Sequence, residues 1–121
     1  MSFKPSHRTT PRTCYDRGVR ISNANHTLER VMSEVKRGHT KSANKSLTSL
    51  LERSVANLPK AVPKKFDKLA KDVVRHVEGA RKKIKDGAPR KKQVDAVQEA
   101  SLAVLRLALR TGPDCGYHYK P

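Results

Sequence analysis

Along most of this chain apolar residues recur at spacings of three and four, the repeat that gathers side chains on one face of an α-helix. Leu28, Val31, Met32 and Val35 begin the pattern after the polar run Ser22-Asn23-Ala24-Asn25, and Gly38 stands where a helix would be capped. A second helix is predicted from Thr40 to about Asn57, with Ala43, Leu47, Leu50, Leu51, Val55 and Leu58 inward and Pro59 and Pro63 closing it. Asn44, Ser46, Thr48 and Ser49 lower its intrinsic propensity, so it must rely on packing. A third starts at Pro63, a favoured residue in a first helical turn. It carries one clean face of Phe66, Leu69, Val73, Val77, Ala80 and Ile84. Asp86-Gly87-Ala88-Pro89 reads as a turn. A fourth helix runs from about Arg90 to Arg110, and its second half, Ser101 to Leu109, is apolar nearly all round. That marks it as the most enclosed element or as one face of a homodimer.

These elements predict an all-α fold: about four helices as a small array or hairpin-based bundle. Residues 1–21 show no periodicity and mix Pro5, Pro11 and Gly18 with five cations against Asp16 alone. They read as a disordered basic N-terminal arm, because too little apolar surface is on offer to offset the entropy of ordering. The expected organisation is an arm over 1–21, a helical domain over 22–110 and a tail over 111–121.

Composition sharpens this picture. A chain of 121 residues accommodates one core. With aromatics at 4% and no Trp, that core must be built from Leu, Val and Ala. No run of about 18 apolar residues occurs, so no membrane partner is expected. Residues 1–20 also lack the apolar stretch of a secretory signal, so an intracellular, cytoplasmic location is expected. In that setting Cys14 and Cys115 are expected as free thiols.

Charge changes the picture most. Twenty-seven Lys and Arg against 11 Asp and Glu leave a formal charge of +16, which calls for a polyanionic partner. From Lys60 to Lys92 there are 13 basic residues and four acids, so +9 of the +16 sits in that stretch. On the third helix Lys64, Lys68, Lys71, Arg75 and Lys82 fall on one line opposite the apolar face. At ~1.5 Å per residue the line is roughly 27 Å long. An ordinary solvated face interleaves both signs, whereas like-charged neighbours at this spacing cost helix stability. Phosphate is the ligand that relieves that cost, so these five residues are the expected primary contacts. Lys41, Lys45, Arg81 and Lys83 are the expected secondary ones.

The chemistry of these residues narrows the ligand. Lysine suits phosphate and is poor at bidentate base contacts, which disfavours a sequence-specific DNA-binding regulator. Tyr15, Tyr117 and Tyr119 lie at the termini, leaving no stacking platforms for single strands among the basic residues. Structured duplex is therefore preferred. Ser, Thr and Asn on the second helix can reach phosphate oxygens or 2′-hydroxyls, which tips the choice toward double-stranded RNA.

Two weaker signals remain. Cys115 and His118 have the spacing of two ligands to one tetrahedral metal, and Cys14 with His26 or His7 could complete a zinc site. A Cys14–Cys115 disulfide is the other pairing. No cofactor is otherwise implied. No Gly-rich phosphate loop, no H-E-x-x-H and no acidic pair in an apolar setting occurs, so no enzyme is expected.

Thr48-Ser-Leu-Leu-Glu52-Arg-Ser54-Val55-Ala56 resembles a stretch in the nodavirus suppressors of RNA silencing. The resemblance is confined to this segment, with Lys45 near that family's basic contact. It implies a viral RNA-binding protein, a homodimer of helical hairpins lying along duplex RNA. The functional expectation is a sequence-independent nucleic-acid binder that prefers duplex RNA. The alternatives are a structural RNA-packaging or ribonucleoprotein component, a protein-interaction module docking through the apolar fourth helix, and a sequence-specific DNA-binding regulator.

Overall fold

The computed structural model describes residues 11–115 of the chain. Its α-helices are four long ones and a single turn, accompanied by one π-helical turn and two 3-10 turns, the second of which, Pro113–Cys115, follows the last helix; among the described residues the fold is all-α, as expected. The α-helices are α1 (Pro11–Lys36), α2 (Thr40–Leu50), α3 (Leu58–Ala61, the single turn), α4 (Asp67–Lys85) and α5 (Arg90–Thr111). A π-helical turn, Leu51–Val55, continues α2, and a 3-10 turn, Lys64–Phe66, leads into α4. Among the described residues no helix is long and apolar enough to cross a membrane.

The long helices pack in a ring: α1 against α2 and α5, and α4 against α2 and α5. Their directions alternate. Cys14 near the start of α1 meets Cys115 just past α5. At the other end the Arg90 guanidinium, opening α5, donates to the Lys36 carbonyl that closes α1, at 3.5 Å. The α1–α2 and α4–α5 turns therefore share one end of an antiparallel bundle. Both are built the same way. Gly38 and Gly87 take φ of 78° and 70°. The Gly38 N–H donates to Val35 and the His39 N–H to Glu34. The Gly87 N–H donates to Ile84 and the Ala88 N–H to Lys83. This is the Schellman arrangement that satisfies a helix's last carbonyls.

The core is the predicted palette of Leu, Val and Ala. Leu28, Val31 and Val35 of α1, Ala43, Leu47 and Leu50 of α2, Val73, Val77 and Ala80 of α4, and Val97, Val104 and Leu107 of α5 are all buried in one cluster. Phe66 is the aromatic in it.

Three expectations are corrected. Residues 11–21 are not a disordered arm but the first turns of α1, and residues 1–10 lie outside the described residues. The inward face of this stretch is Cys14, Arg17, Ile21, Ala24 and Leu28. The helical spacing is present, but its members include a cysteine and an arginine, which an apolar pattern passes over. The second helix does not run unbroken to Asn57. It widens into the π-turn at Leu51, where α1 clamps it: Arg20 Nη1 donates to the Ser54 carbonyl at 3.1 Å and Asn23 Nδ2 to the Ser54 hydroxyl at 2.8 Å. Finally, the tail does not begin at 111, because Thr111 is the buried last residue of α5 and its hydroxyl donates to the Leu107 carbonyl at 2.7 Å.

Candidate nucleic-acid interface

Helix α4 turns its apolar residues to the core, and the same periodicity puts Lys68, Lys71, Arg75 and Lys82 in solvent. Lys64 is exposed too, but the helix expected from Pro63 begins only at Asp67, and Lys64 stands in the 3-10 turn that leads into it. Three of these cations have acidic neighbours, two on the same helix and one, Asp86, in the turn that follows it. Lys71 pairs with Asp67 at 2.9 Å, Arg75 with Asp72 at 3.2 Å and Lys82 with Asp86 at 3.4 Å. The like-charge cost expected from the sequence is thus partly offset inside the protein. The cation side chains remain 68–79% exposed. Pairs so open to water hold weakly and exchange readily for phosphate.

The secondary set divides. Lys83 is exposed at the end of α4, whereas Arg81 is half-buried on its flank. Lys41 and Lys45 are exposed on α2, the helix packed beside α4. The hydroxyls of α2 are mostly engaged within the protein. Ser42 and Ser46 both donate to the Glu34 carboxylate of α1, and Thr48 donates to the Asn44 carbonyl. The polar face that tipped the choice toward RNA therefore serves in good part to fasten α2 to α1.

The fold adds a feature that spacing along one helix does not reveal. Because both turns lie at one end, Lys36, Arg37, His39 and Lys41 share it with Lys83, Lys85, Arg90, Lys91 and Lys92, all exposed. Asp86 is the acid in the turn between α4 and α5. This basic end is continuous with the α4 line through Lys82. The paired occurrence of a glycine cap amid Lys and Arg at 36–41 and 82–92 was the signal in the sequence. Only the antiparallel packing makes it one surface.

Gly79 flanks the α4 line, four residues after Arg75 and three before Lys82, with Glu78 on the line's other side. The glycine is exposed, its φ is not positive, and a Cβ built there would meet nothing within 4 Å. A mid-helix glycine costs about 0.5–1 kcal/mol relative to alanine. Around it lies an open depression of about 420 Å³ bordered by Arg75, Arg81, Lys82 and Lys85, with Glu78 and Asp86.

The expected zinc set does not form. Cys14 and Cys115 are joined in a disulfide with Cα atoms 5.6 Å apart, and neither thiol is free. His26 is exposed on α1, 12 residues beyond Cys14 and so roughly 18 Å along the helix axis. His118 lies outside the described residues. Beside the disulfide, the buried Arg17 guanidinium donates to Cys115 Sγ at 2.7 Å. The nine residues that resemble the silencing suppressors straddle the end of α2 and the π-turn, with Leu50, Leu51, Ser54 and Val55 buried. Their apolar pattern is accounted for by packing within one chain.

Compared with models of known families, with curated proteins and with solved structures, the chain matches none.

Proposed function

We propose that this protein binds nucleic acid through its phosphate backbone, without sequence preference, and that duplex RNA is its preferred form. The observation that carries the reading is the row of five exposed cations, Lys68, Lys71, Arg75 and Lys82 along α4 and Lys64 in the 3-10 turn before it. Its continuation onto the basic end, with Lys41 and Lys83, supplies further phosphate contacts, and Lys45 stands one turn along α2. Lysine-rich, aromatic-poor surfaces recognise a duplex by its charge and shape rather than by its bases.

The test is a titration against duplex RNA, duplex DNA and single strands of equal length at two salt concentrations. With five to eight phosphates engaged, affinity is expected to fall about 10³-fold or more between about 50 and 200 mM salt. Replacing Lys71 and Arg75 together by alanine should weaken binding to every sequence and make the log–log salt dependence shallower. An unchanged slope would sink the assignment. Duplex-RNA preference without sequence selectivity is the property that a silencing-suppressor or RNA-packaging role requires.

A second reading rests on α5. Leu102 and Leu109 are each 37% exposed, with Leu105 half-buried between them. This favours a protein partner or a second copy of the chain on that face. Sedimentation of the protein alone tests it: a concentration-independent monomer removes the homodimer.

A further inference from the structure

On the reading that α4 binds phosphate, we infer that Gly79 is a contact point, a gap beside the basic row through which the sugar–phosphate ridge of a strand reaches the helix backbone. Among the described residues nothing calls for glycine there. Gly38 and Gly87 are required by positive φ, whereas Gly79 is helical and its missing Cβ would have open space. Between Arg75 and Lys82, Gly79 and Glu78 lie on opposite sides of the row, about 50° from its line, so that on the Gly79 side no side chain stands between the two cations. The glycine thereby opens the depression bordered by Arg75, Arg81, Lys82 and Lys85.

A glycine that costs the helix stability, and that neither a turn nor packing among the described residues requires, fits a site where another backbone approaches closely. Arg75 and Lys82 stand about 10 Å apart along the axis, one on either side of the gap. A ridge lying there takes charge-assisted hydrogen bonds from both. Lys82 exchanges Asp86 for phosphate as it does so. Glu78, also on the border, opposes the ligand, and Glu78→Gln should tighten binding.

The experiment compares Gly79→Ala and Gly79→Gln with the unaltered protein, by thermal unfolding and by titration with a short RNA duplex. Gly79→Ala should raise the unfolding midpoint by about 4 °C, since alanine is the better helix former. Gly79→Gln fills the gap without altering charge. It should weaken binding about tenfold while leaving the salt slope as it was, because no cation is lost. Gly79→Gln binding as tightly as the unaltered protein overturns the inference. The Lys71→Ala/Arg75→Ala protein, measured alongside, separates the two ideas. If it binds weakly while Gly79→Gln binds normally, the phosphate reading stands and the role of Gly79 falls. If both bind normally, both fall.

Discussion

Gly38 and Gly87 have the same backbone geometry but different surroundings, and their substitution separates strain from crowding. At Gly87 an added Cβ meets nothing within 4 Å, so Gly87→Ala isolates the cost of a left-handed residue. We expect a loss of about 1–2 kcal/mol, read from urea unfolding midpoints. At Gly38 the same Cβ would also stand 2.9 Å from Arg90 Nη2, which must move aside and give up its hold on the Lys36 carbonyl. Gly38→Ala should therefore destabilise at least as much as Gly87→Ala, and a smaller effect would show that the bond from Arg90 contributes nothing. Arg17 teaches the complementary lesson. An arginine at an inward helical position reads as solvated in any hydropathy pattern, yet here it is 2% exposed beside the disulfide. That single misread residue is a large part of why the first turns of α1 look like a disordered arm in the sequence.

Among the elements, α2 is the one whose own sequence favours helix least. Thr40–Leu50 contains Ser, Thr and Asn throughout, and Thr48 turns its hydroxyl back onto the Asn44 carbonyl. It persists because Ala43, Leu47 and Leu50 are buried between α1 and α4 and because Glu34 holds Ser42 and Ser46. Leu47→Ala should cost about 2–5 kcal/mol of global stability. Hydrogen exchange should show α2 opening first in that variant, and uniform loss of protection across all helices would contradict this account of α2. The inward face of α4 was legible in the sequence to within a residue or two, since it is a long, regular, single-faced pattern. For α5 the extent was legible but not the face, because its second half is apolar nearly all round and only packing selects Val97, Val104 and Leu107 as the buried side. The π-turn was not. Nothing in Leu51–Val55 breaks a helical pattern, and the widening is held by Arg20 and Asn23 from another helix.

At the scale of the molecule, the Cys14–Cys115 disulfide closes nearly the whole described chain into one loop, with a sequence separation of 101. Such a long closure restricts the unfolded ensemble and is expected to contribute about 2–4 kcal/mol. Reduction should lower the thermal midpoint by on the order of 10 °C. Thiol titration should find no reactive cysteine before reduction and both afterwards. A reactive thiol in the untreated protein would contradict the bond. If the row along α4 binds phosphate as proposed, reduced protein that is still folded should bind RNA with an unchanged salt slope, because the disulfide is bordered by Arg17, Ile21 and Thr111 and its opening removes no cation of the row.

The sequence by itself determined the helices with a strong single-faced repeat, the aliphatic core, and the row of cations opposite that core on α4. These are local consequences of a 3.6-residue period. Once the apolar positions are buried, the positions half a turn away must face water. Tertiary structure alone decided three further things. It put both glycine-capped turns at one end, so that two separate Lys/Arg clusters became one surface. It brought the first and last cysteines together, turning two expected thiols into a bond. And it engaged Ser42 and Ser46 of α2 with Glu34 of α1, committing part of a surface that had looked open to a ligand. Each depends on which residues far apart in the chain become neighbours. Spacing within a helix carries no information about that until the helices have packed.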